Sequence, residues 1–277
     1  MSAPTLGALR GQPFWKMSGS GNDFVFVDDR SASLLETLGE PSLVDRVCAR
    51  GTGVGADGIV FLQSATDADY SIVYLNSDGS RASLCGNATL CSARLATELG
   101  IVDPAGFTVR TDAGLMRARI DAGRPEIDFA PVERLEADSA IDRIAGERRI
   151  GFAVAGVPHL VVLVDDLDAV EIVSRGRPLR RHAALGSAGA NVNFVAPSAE
   201  GWRVRTYERG VEGETLACGT GAVATAAMLT AWGAATGPVE LETRSGRSLR
   251  VRRRDEAAGP SLAGEGRIVF TGSLRDL

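Results

Sequence analysis

Leu84-Cys85-Gly86-Asn87-Ala88-Thr89-Leu90-Cys91 and Ala217-Cys218-Gly219-Thr220-Gly221-Ala222-Val223-Ala224 are two versions of one pattern. In each, a Cys-Gly pair opens a run of small, helix-compatible residues, and each run ends on a glycine, Gly100 or Gly233. The pattern predicts two helices, each with a cysteine at its N-terminus. There a thiol meets unpaired backbone N–H groups and the positive end of the helix dipole, which lowers its pKa and makes thiolate accessible near neutrality. Two such thiols at matching positions suggest a pair that faces one substrate from two sides.

The match extends outward from the cysteines. At the same spacing of 133 positions, Tyr74 precedes Tyr207, Ala93 precedes Ala226 and Gly100 precedes Gly233, while Leu95 matches Met228 and Leu99 matches Trp232. Thr111-Asp112-Ala113-Gly114 resembles Thr243-Arg244-Ser245-Gly246 at almost the same offset, and Phe24 to Asp29 resembles Leu160 to Asp166. Solenoid repeats have far shorter periods. One Cys-Gly match is within reach of chance, but several ordered matches at one spacing indicate duplication. Two homologous domains are expected, 1–131 around the Cys85 helix and 132–277 around the Cys218 helix, related by a pseudo-twofold axis.

A length of 277 residues and 44% apolar content allow each half a core of its own. The net charge of −5 argues against a general nucleic-acid binder. The basic run Arg247 to Arg254 alternates like a solvated strand face, and Arg175 to Arg181, with Pro178, reads as loop or helix entry. Four cysteines make no disulfide framework, Met1 to Gln12 lacks the apolar core of a secretory signal, and a reduced, cytoplasmic protein is the default. With His159 and His182 as the only histidines and no Cys-x-x-Cys, no metal site is expected. The apolar run after Cys218 is short and rich in Ala, Gly and Thr, which fits a packed central helix better than a membrane span.

Hydrophobic alternation and turn signals predict strands at 23–28, 58–62, 70–75, 107–110 and 116–120, then 160–164, 192–195, 202–207, 239–243 and 268–270. Helices are expected at 42–50, after each Cys-Gly, and near 167–174. The class is α+β, each half a curved, mainly antiparallel sheet around one central helix.

Beyond the two Cys-Gly motifs, the chain carries Gly19-Ser20-Gly21-Asn22-Asp23-Phe24, Gly55-Ala56-Asp57-Gly58, Asn76-Ser77-Asp78-Gly79-Ser80, Pro158-His159, Ala190-Asn191-Val192, Glu208-Arg209-Gly210 and Gly213-Glu214-Thr215. Together, in this order and over nearly the whole chain, these motifs resemble diaminopimelate epimerase, a family of cofactor-independent amino-acid epimerases. The resemblance implies two domains facing each other across a cleft, with the last strand able to pack back onto the first domain. It also implies a small amino-acid substrate, no cofactor, no nucleic-acid or membrane partner, and a homodimer.

Epimerisation removes a weakly acidic α-proton and returns one to the opposite face. Two groups accomplish this where one cannot without moving: a thiolate abstracts and a thiol donates. By resemblance Cys85 and Cys218 are that pair. Gly86, Asn87, Gly219 and Thr220 offer backbone N–H groups to the charge developing on the substrate carboxylate. The resemblance gives His159 the task of orienting the substrate or tuning a thiol. It puts Glu208 near the proximal amino group or thiol, Arg209 on the distal carboxylate, and Asn22, Asn76 and Asn191 on the substrate as amide contacts. The bland alternatives are a structural histidine, a surface ion pair and ordinary turn asparagines. Cys48 and Cys91 read as buried small hydrophobes, and His182 as surface. Only Lys16 is available for a Schiff base, which argues against pyridoxal phosphate.

Val157, Ala88 and Leu90 stand where the family usually has Asn, Gly and Arg, and Glu212 looks like an extra residue. None touches the thiol pair, so they bear on substrate choice. A racemase of another amino acid, such as histidine, is the alternative on the same fold. A non-catalytic binding protein needs no thiol pair, and a thiol-redox protein is a further alternative.

Overall fold

The computed structural model describes residues 10–31, 34–253 and 259–275; the first nine residues of the N-terminal stretch, and Arg254 at the end of the basic run, lie outside them. In chain order the elements are β1 (Pro13–Gly19), β2 (Asn22–Asp28), α1 (Leu34–Leu38), α2 (Pro41–Cys48), β3 (Gly58–Gln63), β4 (Tyr70–Asn76), β5 (Arg81–Ala82), α3 (Gly86–Glu98), β6 (Phe107–Thr111), β7 (Gly114–Asp121) and β8 (Arg124–Asp128). They continue with β9 (Glu133–Glu136), β10 (Glu147–Ala155), β11 (Val157–Val164), α4 (Ile172–Arg180), β12 (Asn191–Ser198), β13 (Gly201–Glu208), β14 (Gly213–Thr215), α5 (Gly219–Ala231), β15 (Val239–Glu242), β16 (Ser248–Arg252), β17 (Ser261–Ala263) and β18 (Arg267–Ser273).

Two compact units result: Met1–Ile127 with Glu265–Leu277, and Asp128–Gly264. In the first, β1 pairs antiparallel with both β18 and β2, β2 parallel with β3, and β3 antiparallel with β4. Strand β4 then runs parallel to β6, and β6–β7–β8 is an antiparallel meander. The second unit repeats this sequence of pairings: β9–β10–β11 antiparallel, β11–β12 parallel, β12–β13 antiparallel, β13–β15 parallel, and β15–β16–β17 antiparallel. The class is α+β, with mixed, mainly antiparallel sheets.

Each sheet is covered on both faces, which is why β2, β3, β11 and β12 read as nearly continuous apolar runs. In the first unit α2 buries Leu43, Val44 and Val47 against Val25, Val27, Ile59, Phe61, Val73 and Leu75. In the second, α4 buries Ile172 and Leu179 against Leu160, Val162, Val192, Phe194 and Tyr207. The opposite faces pack against α3 and α5. In each unit the central helix is thus joined by a second on the other face, α2 where a helix was expected at 42–50 and α4 close to the one expected near 167–174.

The central helices are duplicates in detail. Both have 13 residues, and their N-cap cysteines share one extended geometry, φ −131° and ψ 110° at Cys85, φ −134° and ψ 111° at Cys218. Both end with Gly100 or Gly233 in the left-handed region, at φ +66° and +69°, where a side chain would be strained.

Register corrects one element of the sequence match. Leu75 pairs with Ile59 in the first unit, and Tyr207 pairs with the corresponding Val192 in the second. Leu75, not Tyr74, is therefore the counterpart of Tyr207. Tyr207 lies in the core under α4, whereas Tyr74 points to the other face and stacks edge-on against Phe24, 5.8 Å between ring centroids. A one-residue slip flips a strand's side chains to the opposite face. The slip is absorbed between β13 and β14, where Glu212 sits at φ +55°, in agreement with its reading as an extra residue.

Two further expectations shift. The helix expected near 167–174 is α4, at Ile172–Arg180, with Pro178 inside it and its buried residues at Ile172, Gly176 and Leu179; Leu167 is buried but precedes the helix. Strands β1 and β10 escape sequence reading because each carries charge and a glycine. A Cβ on Gly151 of β10 would lie 2.4 Å from the Met228 sulfur of α5, and one on Gly19 of β1 would lie 2.8 Å from the Asn87 carbonyl oxygen and 2.9 Å from the Cys91 sulfur of α3. These glycines let helix and strand approach. Gly19→Ala is therefore expected to destabilise by about 1–3 kcal/mol, the usual cost of overpacking, measurable as a lowered urea midpoint with an unchanged m-value.

Candidate active site

The first turn of a helix has no intrahelical acceptors for its N–H groups. At α3 these belong to Gly86, Asn87 and Ala88, and at α5 to Gly219, Thr220 and Gly221. Cys85 and Cys218 are half-buried at these two ends, while Cys48 and Cys91 are buried. The Cys218 Sγ accepts from the Gly221 N–H at 3.4 Å and lies 3.5 Å from the Thr220 hydroxyl. The Cys85 side chain makes no such capping bond to its own helix.

In the first unit a polar relay leads to the α3 terminus. Arg50 and the buried Lys16 pair with Asp23, and Arg50 also pairs with Asp57 at 2.8 Å. Asp57 accepts from the Asn22 Nδ2 at 3.0 Å, and the Asn22 Oδ1 accepts from the Asn87 Nδ2 at 2.7 Å. This pattern fixes both amide orientations and leaves the buried Asn87 Oδ1 without a partner among the described residues. Lys16 also donates to the Gly55 carbonyl, so the lone lysine is committed to structure. Asn76 is apart from this relay: its Nδ2 donates to the Ser80 hydroxyl at 3.0 Å, across the turn that follows β4.

In the second unit His159 and Asn191 are cross-strand neighbours in the β11–β12 register. The Asn191 Oδ1 accepts from the Arg209 N–H at 2.8 Å, which ties the end of β13 to β12 and holds Glu208 and Arg209, both half-buried, beside it. Burial pushes His159 down to a pKa of about 3, and the Arg209 charge adds to the effect. His182, expected on the surface, is half-buried and caps a short 3-10 turn by accepting from the Ala184 N–H.

Two participants were not singled out in the sequence. Asp57 was visible only as part of a Gly-Ala-Asp-Gly motif. Asn193 is a buried amide in the apolar strand β12 and bonds to His159 at 3.1 Å. The signal available for it was its i, i+2 spacing from Asn191, which puts both on one face of the strand. Of the departures from family pattern, Ala88 and Leu90 are fully buried and Val157 is half-buried, so the first two are core packing. Among the described residues, no cluster of His, Cys, Asp and Glu is placed to hold a metal ion, and no helix is long and apolar enough to cross a membrane.

Solved structures share this fold. A PhzF-family phenazine biosynthesis protein from Enterococcus faecalis superposes with a TM-score of 0.72 at 14% identity, over 95% of this chain and 98% of that one. A hydroxyproline epimerase from Agrobacterium vitis does so with a TM-score of 0.67 at 18% identity, over 96% and 93%. The duplicated units and their capped helices thus share one fold class with a PhzF-family protein and a hydroxyproline epimerase. Within that class, sequence is decisive. The family profile described as "Diaminopimelate epimerase" matches residues 14–132 and 152–269. The diaminopimelate epimerase of Gemmatimonas aurantiaca is 48% identical, over 95% of this chain and 99% of that protein, and that of Aquifex aeolicus 42%, over 95% and 98%. The chain belongs to the diaminopimelate epimerase family of isomerases.

Burial separates the four thiols chemically. It pushes Cys48 up to about 12, and Cys91 well above its ordinary value, with the neighbouring Cys85 adding to the latter. Limited iodoacetamide at neutral pH should label Cys85 and Cys218 first, read by peptide mass mapping; prior labelling of Cys48 or Cys91 would contradict this assignment. The His159 environment gives a second test. Its folded pKa lies below the ordinary 6.5, so the folded state binds fewer protons than the unfolded one between pH 6.5 and about 3. The stability is present above 6.5 and is lost as pH falls through that window. Urea midpoints should fall on acidification, and less steeply in His159→Gln.

Proposed function

We propose that the protein interconverts LL- and meso-2,6-diaminopimelate by a two-thiol mechanism that needs no cofactor, in the synthesis of lysine and peptidoglycan precursors in the cytoplasm. The observation that carries this reading is the pair of cysteines with the same cap geometry at the heads of two duplicate helices. In the forward direction one thiolate removes the α-proton and becomes a thiol, while the other thiol delivers a proton to the opposite face and becomes a thiolate. The enzyme then holds the mirror protonation state, which the reverse reaction or proton exchange with water resets. First-turn N–H groups of α3 and α5 bind the substrate carboxylate as charge develops on it, a task suited to preorganised dipoles.

The remaining assignments follow the same reading. The guanidinium of Arg209 is suited to a carboxylate because its planar fork matches two oxygens. Asn87 offers a buried acceptor, Asn22 sets its orientation, and Asn191 holds the Arg209 backbone. Glu208 adjoins Arg209 and serves the substrate amino group or a thiol. Asn76 completes the amide contacts, exchanging its bond to Ser80 for one to the substrate. A homodimer comes with the family expectation and is read by sedimentation of the purified chain.

Reduced protein incubated with LL-diaminopimelate in deuterated water, without added cofactor, is expected to form the meso isomer with deuterium at the α-carbon. Cys85→Ala and Cys218→Ala should each abolish isomer formation. Absence of exchange in the unaltered protein would move the assignment to another amino acid, with histidine tried next.

A further inference from the structure

His159 and Asn193 are each completely buried, on the face of β11 and β12 that packs against α5. The Asn193 side chain has three partners. Its Oδ1 accepts from the Thr206 hydroxyl, its cross-strand neighbour, at 2.9 Å, and its Nδ2 donates to the Leu160 carbonyl at 3.0 Å. A carbonyl oxygen only accepts, so this bond fixes which end of the amide is nitrogen. The second Nδ2 hydrogen then meets the Nδ1 of His159 at 3.1 Å. A donor facing Nδ1 requires a lone pair there, and a neutral imidazole with its lone pair on Nδ1 carries its proton on Nε2. That Nε2 is buried and has no hydrogen-bond partner among the described residues.

We infer that Asn193 is a positioning residue that holds His159 in the Nε2–H tautomer, leaving Nε2–H as a donor for an acceptor atom of the bound substrate. A buried unpaired donor is costly, and the most direct relief is an acceptor that arrives with the ligand. Asn193 is itself locked from the helix side. A Cβ on Gly221 would lie 2.3 Å from the Asn193 Oδ1, and Gly221 is the residue whose N–H bonds the Cys218 sulfur. One amide therefore links the ring's proton position to the turn that carries the thiol. The substrate part of this inference rests on the proposed reaction; the tautomer part does not.

The chain has only two histidines, so nitrogen-15 spectra of ring-labelled full-length protein are simple, and His182→Gln, outside the site, assigns the pair. The expected spectrum of His159 shows a pyridine-like Nδ1 and a protonated Nε2, unchanged across neutral pH. Asn193→Asp places a carboxylate where the donor was and should move the proton onto Nδ1. In the activity assay kcat should fall by roughly 10²-fold, the lower range for loss of one preorganised hydrogen-bond donor, with a smaller change in KM. A protonated Nδ1 in the unaltered protein overturns the inference outright. So does Asn193→Asp that is folded and still carries its proton on Nε2, the behaviour of a merely structural amide. If Asn193→Asp does not fold, the unaltered protein's spectrum still decides the tautomer. Saturation of Cys85→Ala with LL-diaminopimelate should shift the Nε2 resonance; bound substrate that leaves it unmoved overturns the donor role while the tautomer result stands. Absence of catalysis in the unaltered protein would instead count against the proposed reaction.

Discussion

Close packing of a small-residue helix against the strands of its sheet is the interaction on which each unit depends. Of the 13 residues of α3, ten are buried, and α5 is similarly enclosed. A helix buried on most sides has little amphipathic character, so its position is set by shape rather than by an apolar stripe. The shape is supplied by missing side chains: Gly19 under Asn87 and Cys91, Gly151 under Met228, Gly221 over Asn193. Once the helix is enclosed, its first-turn N–H groups are the ones with no acceptor within the helix, and the cysteine that caps it is held beside them.

Duplication preserved that architecture but not the layer between sheet and helix. In the β2–β3 pairing Phe24 stands beside Gly58, and in β11–β12 His159 stands beside the corresponding Asn191. Val60 and Asn193 are likewise counterparts. The first unit fills this layer with rings, Phe24 against Phe26 and Tyr74, and carries its polar relay at the end of the sheet, through Asp57, Asn22 and Asn87. The second unit puts the polar groups inside the layer, through Thr206, Asn193 and His159. The fold is symmetric where it holds the cysteines and asymmetric where it surrounds them.

The sequence made the helices and their caps legible because local chemistry decides them: a cysteine before glycine, small residues, a terminal glycine with positive φ. It made β2, β3, β11 and β12 legible because strands buried on both faces are apolar throughout. It hid β1 and β10, where Lys16, Gly19, the charged start of β10 and Gly151 break the pattern for reasons that lie in other elements. It also misled at Tyr74 and Tyr207. Identical residues at equal spacing fall on opposite faces because the loop holding Glu212 is one residue longer, and spacing along a chain carries no information about which side of a strand a residue occupies. The candidate site residues could be named one by one from the family motifs. Their connections were not, since the bond from Asn193 to His159 depends on the register of three strands.

The neutrality of His159 has a consequence for the proposed reaction. A two-thiol exchange conserves one proton between two sulfurs, and any third group that titrates near neutrality competes for it. An imidazole normally would, with its ordinary pKa of 6.5. Burial and the Arg209 charge push this one down to about 3, so in the proposed reaction it would neither accept the abstracted proton nor supply one at neutral pH. It can still donate a hydrogen bond, because a neutral ring keeps one N–H. In the proposed reaction His159 is then a directional donor rather than a titrating base, and the proton count stays with Cys85 and Cys218. Replacing His159 by a residue that ionises would disturb that count even if it filled the same space, whereas a neutral donor of similar reach would disturb only the geometry.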